Sequence, residues 1–389
     1  MAEGKKQIKK HKGQYILIGI MSLVGFMGGI LMTEYAIHMK KQGMITDHGH
    51  IFFMVILLVE IYFACFVQII IHEAGHLIFG RLTGYQFSSF RIGTFMWIKK
   101  DGKLKLKKLS LAGTGGQCLM SPPDMVGGKM PYVLYNLGGI LTNGIVGLIC
   151  LGVGFLFKQH YYLSTFLIVM GVIGLLFALT NGIPMPGLVN NDGHNAWSLG
   201  KSTSALRSFW LQMKIAEQIA KGIRLKDMPE EWFSLPTPEE MKNSMNATIG
   251  VFRCNRLIDA KAFDEANQLM EKLLKMDTGI VDIHRKLLIC DRIYCDLIRG
   301  NRQDYIDEML DKKQKEFMKA MKKFPSVLRT QYAYALLAQQ NQEEAYKIKK
   351  QFEKCSHTYP YPSDIESEQE LIDIVDALIN VKEEEIKFT

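Results

Sequence analysis

Charged residues are scarce in four long stretches of the sequence, and no comparable stretch occurs in its second half. Each apolar stretch is about long enough to cross a hydrocarbon core of about 30 Å, which takes about 20 helical residues. The stretches run from Tyr15 to His38, from Ile51 to Gly80, from Tyr132 to Phe157 and from Tyr162 to Ile183. Because none follows Asn195, we predict a membrane helix bundle of about four spans and then a soluble helical domain.

Two further absences and the origin of the net charge narrow the class of protein. The 7 cysteines include no CxxC pair, so we expect free buried thiols rather than a disulfide framework. No small-residue cleavage site follows the first apolar stretch, which indicates a retained span and not a signal peptide. The net charge of +8 comes from lysines that flank the predicted spans, so it does not indicate a nucleic-acid partner.

Basic residues are distributed unevenly around the predicted spans. Lysines precede the first span, and lysines and arginines crowd the segment from Arg81 to Lys129 between the second and third spans. The opposite loops carry only Lys40, Lys41 and Lys158. By the positive-inside rule, this asymmetry predicts a multi-pass protein of the cell membrane with both termini in the cytoplasm.

One apolar stretch nevertheless contains three ionisable side chains, in the segment IIIHEAGHLIFG from Ile69 to Gly80. Residues four apart share a helix face, so His72 and His76 can present two imidazoles to one metal ion, with Glu73 beside them. Zinc binds neutral imidazole, leaves a position for water, and lets a glutamate accept the proton of that water. A purely structural role would leave Glu73 in apolar surroundings without compensation, so we favour a zinc site.

A catalytic zinc needs a third protein ligand, and the positions typical of soluble metalloproteases are not available. The histidine found in one class six residues after the second histidine is replaced by Leu82. The only acid between Leu77 and Pro123 is Asp101, and its sequence KKDGK is typical of a hairpin turn. The remaining candidate is Asp192 in TNGIPMPGLVNNDGH, where prolines end the fourth predicted span.

The segment from Ile51 to Asn195 resembles the site-2 protease family of intramembrane zinc metalloproteases. The resemblance is most specific in HEAGH. It extends to a second signature similar to NxxPxPxxDG, whose matching residues are Asn181, Pro184, Pro186, Asp192 and Gly193. The resemblance implies zinc as the cofactor. The implied zinc ligands are His72, His76 and Asp192, and the implied general base is Glu73.

This chain departs from the family pattern near the third ligand. Three extra residues, Val189 to Asn191, precede the aspartate, and His194 replaces a usual glycine. His194 is therefore the alternative to Asp192 as the third ligand.

The resemblance also covers the third predicted span. The family places an asparagine after a Gly-Pro pair, and NLGGILTNG offers Gly139 and Asn143 at that spacing, with Ile140 in place of proline. The implied role of Asn143 is to hold the substrate backbone or the oxyanion. The alternative is a hydrogen-bonding asparagine in a small-residue helix interface. Glu60 lies about 18 Å from His72 along a helix, so we expect it outside the zinc site.

The residues from Gly84 to Met120 alternate around a DG turn and predict a β-hairpin. Members of the family use a hairpin at the membrane edge to pair with an extended substrate, so the resemblance implies a peptide or membrane-protein substrate here. The glycine-rich sequence GTGGQCLMSPPD then predicts a flexible connection into the third span.

The remainder of the chain is predicted to be soluble and helical. Leu206 to Ala220 forms an amphipathic pattern that predicts a helix on the membrane surface. Thr237, Pro238 and Glu240 are typical of the first positions of a new helix. We divide the chain into a protease domain (1–200), a helix and linker (201–243) and a cytoplasmic helical domain (244–389).

The last domain contains a weak internal repeat. Turns are predicted near Lys261, Gly300 and Asn341, and AKAFDEANQLMEKLL is similar to QQNQEEAYKIKKQFE. This pattern predicts tetratricopeptide-like repeats, which commonly dock a protein partner.

These patterns predict a mainly α membrane protein that hydrolyses a peptide bond. The substrate would be a membrane-tethered regulator or a peptide derived from a signal sequence, and the lipid bilayer is the other implied partner. One alternative is a non-catalytic scaffold or immunity-type protein that retains the fold. Another is metal transport, which would require several acids or histidines along the spans, where Glu60 is one of few available outside the HEAGH segment.

The predicted orientation can be tested by labelling single cysteines introduced into the segment 84–120 and into the tail. A membrane-impermeant thiol reagent should reach both segments only from the cytoplasmic side, because the lysine asymmetry places them there. Labelling of either segment in intact cells would show that the orientation is wrong.

Overall fold

The computed structural model describes residues 50–388 without 101, 110–114 and 186–189, together with scattered positions between 19 and 43. The chain divides into two units. The first unit contains residues 1–87, 115–118 and 130–201. The second contains residues 88–114, 119–129 and 202–389.

Three apolar helices form most of the described first unit. They are α1 (His50–Leu82), α2 (Val133–Leu156) and α3 (Tyr161–Gly182), and each pair is in contact. All three are long and apolar enough to cross a membrane. They match three of the predicted spans, while the first, from Tyr15 to His38, lies largely outside the described residues. A short helix, α4 (Asp192–Ser198), packs against α2 and α3.

Glycines allow α1 and α2 to approach each other closely. A Cβ added at Gly75 would lie 2.4 Å from the carbonyl oxygen of Gly138, and a Cβ at Gly138 would lie 2.5 Å from that of Gly75. These separations are far below van der Waals contact, so a residue larger than glycine would force the backbones apart. Close backbone approach is a main source of helix association in lipid, where the hydrophobic effect does not draw helices together.

Four strands form one sheet in the order β3-β2-β1-β4. They are β1 (Gln86–Ile92), β2 (Phe95–Lys100), β3 (Lys103–Lys108) and β4 (Gly116–Ser121). Strands β2 and β3 pair antiparallel with Trp97 opposite Leu106, which confirms the predicted hairpin. The prediction of a flexible connection was wrong for β4. This strand is held by hydrogen bonds to β1, a non-local interaction that the local glycine content does not reveal.

The second unit is otherwise helical. Its helices are α5 (Thr203–Ala220), α6 (Ser244–Asp259), α7 (Phe263–Lys275), α8 (Asp282–Arg299), α9 (Gln303–Met309), α10 (Lys312–Ala320), α11 (Pro325–Ala333), α12 (Gln342–Thr358) and α13 (Pro362–Phe388). Lys261, Asn301 and Gln340 have positive φ angles of 61°, 44° and 51°, which confirms turns close to the predicted positions. The tetratricopeptide-like repeat stays a prediction.

The amphipathic pattern of α5 was assigned to the wrong surface. Phe209, Leu211, Met213 and Ile215 point to different sides of the helix and are all buried, so this helix is packed within protein instead of lying on lipid. Its Trp210 donates a hydrogen bond to the carbonyl oxygen of Pro123. An apolar helix face needs a nonpolar neighbour, and the sequence pattern does not distinguish a protein core from a membrane surface.

The capping signal before α6 was identified correctly but does not start the helix. Glu240 accepts a hydrogen bond from the backbone N–H of Thr237, and Thr237 Oγ1 accepts one from the N–H of Glu240. This capping box encloses only a 3-10 turn, Glu240–Lys242. The α-helix begins at Ser244, where the side chain of Asn243 caps it.

The helix crossing predicts a position-specific effect of alanine in α2. Gly138→Ala should destabilise the protein by about 1–3 kcal/mol, because its methyl group would collide with the backbone of α1. Gly152→Ala in the same helix meets nothing within 4 Å and should have little effect. Thermal unfolding in detergent, followed by labelling of the buried Cys118, measures both variants. Equal melting temperatures would show that the close crossing is unimportant.

Candidate metal centre

Helix α1 carries the HEAGH segment into the interior of the first unit. His72, Glu73 and His76 are each less than a tenth exposed. His72 lies against α2 at Gly139, where an added Cβ would be 2.5 Å from the imidazole Cε1. The absence of a side chain at Gly139 therefore makes room for the ring, and the close crossing of α1 and α2 brings the ring to it.

Three side-chain atoms converge on one point. Nε2 of His72 lies 2.9 Å from Oδ2 of Asp192 and 3.2 Å from Nε2 of His76. Nε2 of His76 lies 3.4 Å from the same carboxylate oxygen. Tetrahedral zinc at about 2.0–2.1 Å from each ligand would separate the ligand atoms by about 3.3 Å. The three residues predicted as ligands are thus close enough together to hold a metal ion.

The other ring nitrogens of the two histidines are engaged in hydrogen bonds. Nδ1 of His72 lies 2.7 Å from Oδ1 of Asn143, and Nδ1 of His76 lies 2.7 Å from the carbonyl oxygen of Tyr135. Both partners can only accept, so each Nδ1 carries a proton and, in the neutral rings, each Nε2 carries a lone pair. Three electron-pair donors then face one another. A metal ion, or a proton on one ring, would offset the repulsion between them.

Asn143 lies beside His72 and is held by hydrogen bonds within the protein. Its Oδ1 accepts from His72, and its Nδ2 donates to the backbone oxygen and to Oε1 of Gln68, at 3.0 and 2.6 Å. Both amide hydrogens are therefore used inside the protein, as in the alternative of a hydrogen-bonding asparagine at a helix interface, while contact with substrate or oxyanion stays a prediction. Asn143 orients His72, because its amide is itself fixed between the two helices.

Gln68 was missed in the sequence. It is fully buried, accepts from Asn143, and donates through Nε2 to the carbonyl oxygen of Met170 on α3. Gln68 precedes His72 by four residues and so lies on the same face of α1. This spacing is the feature of the sequence from which its position beside His72 could have been predicted. Gln68 thus links α1, α2 and α3 by hydrogen bonds, and through Asn143 it helps to orient the imidazole of His72.

Asp192 reaches the two histidines because Asn191 fixes the start of α4. The Asn191 side chain accepts from the backbone N–H groups of Met185 and His194. It also donates to the carbonyl oxygens of Thr180 and Ile183 at the end of α3. Asn191, one of the three extra residues before the aspartate, thus serves as the N-cap of α4. Asparagine is a preferred residue at this position.

The charge of Asp192 is stabilised by its neighbours. Burial alone would raise the pKa of this carboxyl, but interaction with His72 and His76 holds the pKa well below its usual value. The carboxylate is therefore ionised at neutral pH, as a metal ligand must be. His194, the alternative ligand, is not part of the described cluster. Burial lowers the pKa of His194, and the nearby positive charge of Lys201 lowers it further.

Glu73 lies beside the cluster but does not belong to it. Its carboxylate accepts a hydrogen bond from the backbone N–H of Cys118 and interacts electrostatically with both histidines and with Asp192. It packs against Gly116, where an added Cβ would be 2.7 Å from Oε1. Strand β4 therefore holds the glutamate next to the three convergent atoms. Glu60, as predicted, is not brought into this described group.

Comparison of the chain with protein-family models, with curated proteins and with solved structures gave no match. The resemblance to the site-2 proteases therefore stays a prediction that rests on the residues of the HEAGH and Asp192 segments.

The hydrogen bond to His72 predicts an effect of Asn143 on metal affinity. Asn143→Ala should weaken binding of a divalent metal about 10- to 100-fold, because the imidazole loses the group that orients it. Asn136→Ala is the matched control, since Asn136 is buried in the same helix and donates to the carbonyl oxygen of Tyr132, outside the cluster. Competition with a chromophoric chelator measures both. Equal affinities in the two variants would contradict the orienting role.

Proposed function

We propose that this chain is a zinc-dependent endopeptidase that cleaves a peptide bond in or near a membrane-spanning segment of its substrate. The observation that supports this most directly is the convergence of His72, His76 and Asp192 beside a buried glutamate. A proton can join only one imidazole to Asp192, whereas a divalent cation accepts a lone pair from all three groups at once. Two imidazoles and one carboxylate form a common ligand set of catalytic zinc.

The position of Glu73 suits proton transfer in peptide hydrolysis. Bound zinc would supply Lewis acidity that activates water and polarises the scissile carbonyl. The Glu73 carboxylate accepts a proton from the water molecule whose oxygen bonds to the carbonyl carbon. It then delivers that proton to the amide nitrogen as the C–N bond breaks, which yields one carboxylic acid and one amine.

The surroundings of the site suit a membrane substrate. Three helices able to cross a membrane supply two of the ligands and the groups that orient them. Strand β4 lies at an edge of its sheet and next to Glu73, so an extended peptide added at that edge would pass the catalytic groups. The proposal includes a multi-pass location in the cell membrane, cytoplasmic termini, and a tail that docks a protein partner.

The proposal is tested by Glu73→Gln, which removes the base and leaves every ligand in place. The variant should retain near-stoichiometric zinc by mass spectrometry, while the cleavage rate falls about 100- to 10,000-fold. His72→Ala and Asp192→Ala should lose zinc and cleavage together, because each removes a bond to the metal. Glu60→Gln, the same change in the same helix, should behave as the unmodified protein.

The substrate can be found in the same experiment. Membranes from cells that contain the unmodified protein, Glu73→Gln or Glu60→Gln are compared by proteomics for a transmembrane fragment of altered length. Such a fragment should appear with the unmodified protein and with Glu60→Gln but not with Glu73→Gln. Unchanged cleavage by Glu73→Gln would exclude the proposed mechanism and favour a non-catalytic scaffold. Zinc loss in His194→Ala but not in Asp192→Ala would show that the third ligand is His194.

A further inference from the structure

The second unit contains a cavity of about 280 Å³ between helices α6, α8, α11 and α13. The lining combines apolar side chains with four carboxylates, those of Asp259, Asp291, Asp364 and Glu368. Its volume is slightly below the roughly 300–1,000 Å³ of pockets for small molecules, which suits a single side chain. None of these residues contributes to the metal centre.

The carboxylates of this region are only partly neutralised. Two arginines each bridge a pair of carboxylates: Arg224 bridges Asp259 and Glu370, and Arg329 bridges Asp291 and Glu368. Asp364 accepts a hydrogen bond from Tyr359 but forms no ion pair with any residue that the structure describes. Burial, with the nearby charges of Glu368 and Asp259, raises the pKa of Asp364 to about 7. A cation placed in the cavity would favour the ionised form of Asp364, the one lining carboxylate without an arginine partner in the described chain.

Two buried polar atoms in the lining also have no partner. Ser363 is 2% exposed, and its Oγ makes no hydrogen bond within the described part of the chain. The same holds for Nδ1 of His284. Buried polar atoms are nearly always paired, so these two indicate a hydrogen-bonding group that is not part of the folded chain. Both atoms can accept, which favours a ligand rich in N–H donors.

We propose that this cavity binds the cationic end of a basic peptide side chain, an arginine or a lysine. Asp364 is its ion-pair partner, and Ser363 and His284 accept its hydrogen bonds. The aliphatic stem of the side chain packs against apolar lining residues such as Val251 and Leu287. This binding site is independent of the proposed peptidase, because it uses none of the residues of the metal centre.

Fluorescence anisotropy with the full chain in detergent tests the proposal. The protein carries Glu73→Gln so that no peptide is cleaved. The probe is a labelled glycine-serine peptide with a central pair of arginines, compared with the same peptide carrying glutamines. The arginine peptide should bind at least 10-fold more tightly. Asp364→Asn should abolish the difference, and Ser363→Ala should reduce it severalfold. Glu308→Gln, which removes an exposed acid that does not line the cavity, should preserve it.

A thermal measurement separates binding from folding. Asp364→Asn without peptide should unfold at the same temperature or higher, because an unpaired carboxylate in the interior disfavours the folded state. A clear fall in its unfolding temperature would show a structural role and overturn the proposal. So would equal binding of the two peptides, or an unchanged difference in Asp364→Asn. Displacement of the arginine peptide by an equal concentration of spermidine would show that a free amine, not a peptide, is the occupant.

Discussion

The close crossing of α1 and α2 is the constraint on which the candidate metal centre depends. Gly75 and Gly138 bring the two backbones together, and residues on either side of the crossing then exchange hydrogen bonds. His72 bonds to Asn143 on one side, and His76 bonds to the carbonyl oxygen of Tyr135 on the other. A wider crossing would separate both Nδ1 atoms from their acceptors. The two Nε2 atoms would then lose the orientation that directs them to a common point.

The third ligand depends on a second, separate constraint at the end of α3. The chain leaves that helix through a proline-containing segment, and Asn191 ties the beginning of α4 back to the last turn of α3 through its amide. Asp192 follows directly, so the cap of a short helix determines where the carboxylate lies. The candidate centre is thus assembled from a rigid helix pair and a capped turn, and each part orients its side chains within the protein.

The sequence predicted what is local and missed what depends on helix rotation. Two histidines four residues apart must share a face of α1, so the proximity of their rings followed from spacing alone. The partner of Asn143 depends on which residue of α1 lies opposite it, and no local pattern contains that information. For the same reason β4 was missed, since its pairing with β1 is non-local. The apolar face of α5 was recognised, but its partner was misassigned because lipid and protein interiors select the same pattern.

The two polar clusters of the protein share one energetic property. In the metal centre, hydrogen bonds hold two lone pairs and a carboxylate together in apolar surroundings. In the second unit, Asp364 has no ion-pair partner among the described residues, and it lies beside carboxylates that Arg329 already neutralises. Selection for stability alone would replace such groups by neutral ones, since an unpaired buried charge disfavours folding. In each cluster, protonation of one group or an added cation would offset this cost. The two ligands that we propose, a metal ion and a basic side chain, would both act in this way.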